Sequence, residues 1–155
     1  MIWNHPPTLE GLNHSGQNTA TSTLGIKFIE VGDDYLIAEM PVNERTVQPM
    51  RMLHGGASCL LIETLGSVAG MLCLANTGKD YVVGTEINAS HLRGASEGQK
   101  VFGRVAPVRI GRRVQVWAVE ITNEEGKQVC VGRLTCQVIS GYFNTSALSG
   151  QSWHS

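Results

Sequence analysis

The chain has 155 residues, 42% of them hydrophobic and 16% charged, with 12 basic against 13 acidic side chains and a net charge of −1. That composition suits a globular domain with a sizeable core, and near-neutrality offers no electrostatic case for nucleic acid or an anionic membrane surface. Residues 1–7 lack the basic start and apolar stretch of a secretory signal, and cysteines 59, 73, 130 and 136 have the spacing of neither a zinc site nor a disulfide framework, so the expected compartment is a reducing cytoplasm.

Residues 8–14 read as a short helix with Thr8 at its N-cap, and residues 16–22 as a polar loop. Residues 24–31 and 34–42 are strand-like runs separated by Gly32-Asp33, a hairpin signal. A loop at 43–52 carries Gln48. Residues 56–75 form one long helix, with Leu61, Leu65, Val68 and Leu72 at helical spacing on an apolar face; Glu63 and its small neighbours make it a poor membrane span. After a turn at 76–80 come strands at 81–92, 99–108, 113–122 and 127–139, whose short connections imply antiparallel neighbours. Residues 140–155, rich in Ser, Gly and Asn, read as a polar, mobile tail on which Tyr142, Phe143 and Trp153 are available to dock. The expected fold is therefore α+β, a long helix wrapped by a curled antiparallel sheet, over residues 1–139.

The chemistry concentrates between Gln48 and Ser67. From Met52 to Gly78 the only side chains that can be charged near neutral pH are His54 and Glu63. A helical glutamate facing water would have charged neighbours one turn away, but Glu63 has Gly56, Cys59, Gly66, Ser67 and Gly70 on its side. At about 100° per residue these fall within roughly a quarter turn. A carboxylate on such a stripe is costly to bury and points to general-base or nucleophilic work. The His54-Gly55-Gly56 entry places unpaired N–H groups and a positive dipole end two turns away, and the Gly55 N–H is the candidate oxyanion donor. Gln48 has donor and acceptor groups for a carbonyl or a water, and Ser67 can bond the carboxylate. Basic groups at strand ends, His91 and Arg93 on one side and Arg109, Arg112 and Arg113 on the other, suit a phosphate-bearing handle. No metal or other cofactor is called for.

Gln48…His54-Gly55-Gly56…Glu63…Ser67, with Val82-Val83-Gly84…Glu86-Ile87-Asn88-Ala89…His91, resembles the hotdog-fold acyl-CoA thioesterases of the helix-glutamate type, in the PaaI-like superfamily. The resemblance runs over residues 1–139. It implies a helix wrapped by an antiparallel sheet, sheets joined in a dimer, dimers paired as a tetramer, and active sites at the subunit interface. It implies a thioester hydrolase acting on aromatic acyl-CoA, 1,4-dihydroxy-2-naphthoyl-CoA among them, or on acyl groups held by a carrier protein. Carried over, Glu63 is nucleophile or general base, the Gly55 N–H polarises the carbonyl, Gln48 and His54 position the thioester, and Ser67 assists Glu63. Contacts to the CoA moiety fall at Val82, Ser90, His91, Arg93, Gly111 and Arg112. Two rivals are weaker. A hydratase of the same architecture would need an Asp-x4-His pair absent near the helix start. A non-catalytic acyl-CoA-binding protein would need no carboxylate at 63.

Overall fold

The computed structural model describes residues 1–75 and 79–141; of the turn expected at 76–80 and the tail expected at 140–155, residues 76–78 and 142–155, with Tyr142, Phe143 and Trp153, lie outside the described residues, while Asp80 and Ser140 belong to strands. The elements are α1 (Leu9–Ser15), α2 (Ala20–Thr23), β1 (Lys27–Val31), β2 (Leu36–Pro41), α3 (Gly55–Leu72), β3 (Asp80–His91), β4 (Lys100–Ile110), β5 (Val114–Asn123) and β6 (Gln128–Ser140). Thr8 caps α1 as expected, its hydroxyl accepting from the Gly11 N–H at 3.1 Å. The loop expected at 16–22 contains an extra turn of helix, α2. Thr19 and Ser22 form a reciprocal capping box there, with Ser in the place usually taken by Glu or Gln.

All six strands form one antiparallel sheet in the order β1-β2-β4-β5-β6-β3. The short turns at 111–113 and 124–127 make hairpins, as expected. The connection at 92–99 does not, which corrects the expectation that β3 and β4 are neighbours. Both flanks of β4 are taken, by β2 and β5, and β3 pairs with β6 at the far edge. The connection instead crosses beneath the entry to α3, where the Leu53 N–H donates to the Ala95 carbonyl (2.8 Å) and the Glu97 N–H to the Arg51 carbonyl (3.1 Å).

The helix α3 lies in the concave face of the sheet. By length and mean hydropathy (1.4) it could cross a membrane, but Leu61, Ile62 and Leu65 are fully buried against Leu36, Val105, Trp117, Ile121 and Leu134 of the strands. Each such side chain contributes about 1.5–3 kcal/mol by leaving water. The buried face is centred on Leu61, Leu65 and Ala69; the expected Val68 and Leu72 are only half-buried. The helix stops at Leu72 because the N-terminal segment closes its end. The Asn4 N–H donates to the Leu72 carbonyl (3.0 Å) and the Asn4 side-chain amide to the Cys73 carbonyl (2.8 Å), satisfying acceptors a helix end leaves open. Trp3 anchors that segment. It is 5% exposed, lies stacked with Trp117 at 6.4 Å between ring centroids, and donates from Nε1 to the Gly32 carbonyl at 2.7 Å.

The stripe of small residues is partly covered by the chain's own strands. A Cβ on Gly66 would run into Leu134 of β6, and one on Gly70 would stand 2.7 Å from Gln115 Oε1 and 3.2 Å from Val82. These two glycines serve close packing of helix on sheet. Only Gly56, Cys59, Glu63 and Ser67 of the stripe stay accessible.

Candidate active site

The entry to α3 is organised by His54. Its Nδ1 accepts from the Gly56 N–H at 2.8 Å, which caps the helix and puts the ring proton on the outward-facing Nε2. The helix therefore begins at Gly55. Among the described residues no hydrogen bond uses the Gly55 N–H, so it remains a donor at the positive end of the helix. His91, at the end of β3 and expected among the residues holding a phosphate-bearing handle, has its ring over Gly55, where a Cβ would be 2.8 Å from Nε2.

Gln48 sits in a tight turn. The Arg51 N–H donates to the Gln48 carbonyl and the Gln48 N–H to the Met52 carbonyl, both at 2.8 Å, and Arg51 takes a left-handed conformation (φ 60°) that costs a non-glycine residue energy. Glu97 steadies it by pairing bidentately with the Arg51 guanidinium, Nε to Oε2 at 2.9 Å. The Gln48 side-chain oxygen accepts from the Met50 N–H, and its amide N–H groups can donate outward.

Glu63 is half-buried and accepts from the Ser67 hydroxyl at 3.1 Å on Oε1. Across from it lies Gly84 of β3, where the register against β6 shifts between Gly84 and Glu86. Cys136 is close by: burial, and secondarily the Glu63 charge, pushes its thiol up to about 11. Among the described residues no three His, Cys, Asp or Glu side chains cluster as a metal would need.

The residues expected to contact CoA do not form one group within the chain. Val82 packs inward against Gly70. Ser90 lines a groove of about 370 Å³ on the outer sheet face, with Arg104, Glu120 and Arg133. Arg93 lies near Glu125, whose carboxyl is held below its usual range chiefly by Lys127 and slightly by Arg93. Gly111 and Arg112 line a separate cleft of about 360 Å³ with Arg109, Arg113 and Val114. The ten residues of β5 separate the two strand ends, a span of roughly 30 Å. Neither cleft adjoins Glu63. No ion pair among the described residues uses Arg109, Arg112 or Arg113.

Sequence reasoning missed Gly84 and the Arg51–Glu97 clamp as parts of the site. An isolated glycine inside a strand pattern is a signal for a bulge or a close backbone approach; the clamp joins residues 46 positions apart and leaves no local signal. Each of these groups, a held carboxylate, an N–H at a helix start unused among the described residues and outward donors on His54 and Gln48, suits attack on a polarised carbonyl.

Residues 50–130 match the sequence model of the Thioesterase superfamily. The chain is 49% identical over 139 residues to 1,4-dihydroxy-2-naphthoyl-CoA hydrolase of Escherichia coli, covering 90% of this chain and 100% of that protein. It is 48% identical over 141 residues to the proofreading thioesterase EntH of Cronobacter turicensis, covering 90% and 99%. In structure it is similar to a thioesterase of Haemophilus influenzae (TM-score 0.86, 49% identity, 90% and 96% covered). It is likewise similar to a glutamine-to-alanine variant of a thioesterase of Pseudomonas aeruginosa (TM-score 0.87, 42% identity, 90% and 99% covered).

Proposed function

From the premise that the chain belongs to the thioesterase superfamily, we propose that this thioester hydrolase acts on aromatic acyl-CoA thioesters such as 1,4-dihydroxy-2-naphthoyl-CoA, with Glu63 as its reactive carboxylate. The observation that carries the reading is the Glu63 carboxylate held by Ser67 on a helix whose first N–H, on Gly55, bonds nothing among the described residues. The thioester carbonyl accepts from that N–H, so charge developing on oxygen meets the positive end of α3. Glu63 then attacks the carbon to give an anhydride, or takes a proton from a water that attacks it. The departing thiolate is a good leaving group and needs no metal.

Geometry supports a site shared between two copies of the chain. Eight residues separate Gly55 from Glu63, which is about 12 Å along a helix, and the bond to Ser67 turns the carboxylate away from Gly55. One carbonyl carbon is out of reach of both groups in a single copy. In a dimer with antiparallel central helices, the Gly55 of one copy can meet the Glu63 of the other. The edge strand β3, exposed from Val83 to Asn88, supports joining of sheets there, and pairing of such dimers into a tetramer extends the proposal. The arginines at 109, 112 and 113, which make no ion pair among the described residues, suit the phosphates of CoA. An acyl group on a carrier protein presents the same thioester, and the similarity to a proofreading thioesterase favours this as a second reading. The proposed place of action is the cytoplasm.

The test is E63Q assayed on aryl-CoA thioesters. Loss of nearly all turnover with folding and CoA binding intact is expected; wild-type turnover would overturn the assignment. Single-turnover hydrolysis in oxygen-18 water separates the two routes, label in Glu63 marking the anhydride. Parallel assays on carrier-protein thioesters decide between the substrates.

A further inference from the structure

We propose that Gly84 is a positioning residue: its missing side chain, at a bulge in β3, leaves the slot in which the Glu63 carboxylate is held. The inference rests on Glu63 being the reactive group. The β3–β6 register places Gly84 opposite Cys136 and Glu86 opposite Thr135, so Thr85 is an extra residue on the edge strand. Bulges of this kind bend a strand and re-aim what lies beside them. Here the strand's bare Cα is brought against the carboxylate. A Cβ on Gly84 would stand 3.0 Å from both Cδ and Oε2 of Glu63 and closer still to Oε1, whereas ordinary contacts of a Cβ begin near 3.4 Å.

Space, and not backbone freedom, is what requires glycine. The glycines with positive φ among the described residues are Gly25, Gly98, Gly126 and Gly141; Gly84 has a conformation open to any residue. An added methyl group therefore leaves the strand able to form. What gives way is the Glu63 carboxylate, the far end of a flexible side chain, and with it the 3.1 Å bond from Ser67 to Oε1. Oε1 accepts from Ser67 and is the atom that a Cβ on Gly84 would meet first, so the slot sets where the carboxylate points. Gly84 lies outside the clefts lined by Ser90 and Arg112, so a role in CoA binding does not account for a glycine here.

The experiment is a double-substitution cycle on the full chain, with thermal unfolding measured alongside kinetics. G84A is expected to lower kcat about ten- to hundredfold, the effect of roughly 1 Å of misplacement at a reacting group, with KM for the CoA ester and the unfolding temperature close to wild type. Glu63→Asp withdraws the carboxylate by one carbon–carbon bond, about 1.5 Å. In the G84A background it should therefore cost much less than it costs in wild type, a coupling that distinguishes contact from independent effects. Unchanged kcat in G84A, effects of G84A and E63D that simply multiply, or a G84A protein that fails to fold would each overturn the proposal. Full activity in E63Q would instead overturn the assignment of Glu63 on which it rests.

Discussion

The imidazole of His91 lies against the bare Cα of Gly55, so close that a Cβ there would stand 2.8 Å from Nε2 and 3.0 Å from Cε1. A glycine at the first position of a helix is otherwise a poor choice, costing up to about 1 kcal/mol relative to alanine. Gly55→Ala should therefore leave thermal stability near wild type, while pushing His91 off the helix start and crowding the N–H offered to the carbonyl. Loss of an oxyanion donor typically costs about 10²–10³ in kcat; a displaced one should cost at least about tenfold. Unchanged kcat/KM in G55A would show that the N–H takes no part.

Separation of Gly55 and Glu63 by about 12 Å of helix predicts complementation between two inactive chains. Q48A damages the half of the site at the helix entry, and E63Q the half that carries the carboxylate. In a dimer containing one chain of each kind, one site carries both lesions and the other carries neither. Mixed unfolding and refolding at equal amounts should then restore about a quarter of wild-type activity, since half of the dimers are hybrids with one good site in two. A mixture no more active than its separate components would place both groups within one chain.

Much of this arrangement was legible in local sequence, and the exceptions share a cause. The lone Glu63 on a stripe of small residues was visible because helical periodicity places positions 56, 59, 63, 66, 67 and 70 on one side without reference to the rest of the chain. Which strand covers that stripe was not. Gly66 and Gly70 receive β6, β5 and Val82, a matter of sheet order, and sheet order here departs from chain order at β3 and β4. Arg93 and Arg112, both expected to contact CoA, flank β4 and so lie at opposite ends of that strand within one copy. Trp3 in the N-terminal segment gave no periodic signal either, because its partners, Gly32 and Trp117, are supplied by distant parts of the chain.

That strap carries a stability prediction. Trp3 is 5% exposed, stacks on Trp117 and bonds Gly32, while its neighbour Asn4 closes the end of α3. W3A removes a large buried ring and loosens that cap, and truncations of this kind cost about 3–5 kcal/mol. Urea unfolding should show the midpoint falling with little change in slope. A loss below about 1 kcal/mol would mean that the segment is not held as described.

The arginine clusters separate in a second kinetic test. Arg112 has no acidic partner among the ion pairs of the described residues, whereas Arg93 has Glu125 nearby. R112A should raise KM several-fold for CoA esters and hardly at all for pantetheine thioesters, which lack the nucleotide phosphates, at about 1.4 kcal/mol per tenfold. Equal effects on the two substrates would remove the phosphate role.

The buried thiols predict how stability responds to alkali. Burial raises Cys73, Cys130 and Cys136 from an ordinary value of 9.0 to about 11 in each case, with Cys59 adding to the effect at Cys130 and Glu63 at Cys136. The unfolded chain ionises these groups first. Their contribution is therefore fully present below about pH 9 and is lost as pH rises toward about 11, because the unfolded state then binds fewer protons than the folded one. Chemical unfolding from pH 8 to 10.5 should show falling stability, and substitution of Cys136 by alanine should flatten that fall at some cost at pH 8. The same shifts keep the three thiols protonated near neutrality, and alkylation requires the thiolate. A thiol reagent at pH 8 should therefore leave them unmodified until the protein unfolds; rapid modification of Cys136 in the native protein would show that the wall behind Glu63 is open to water.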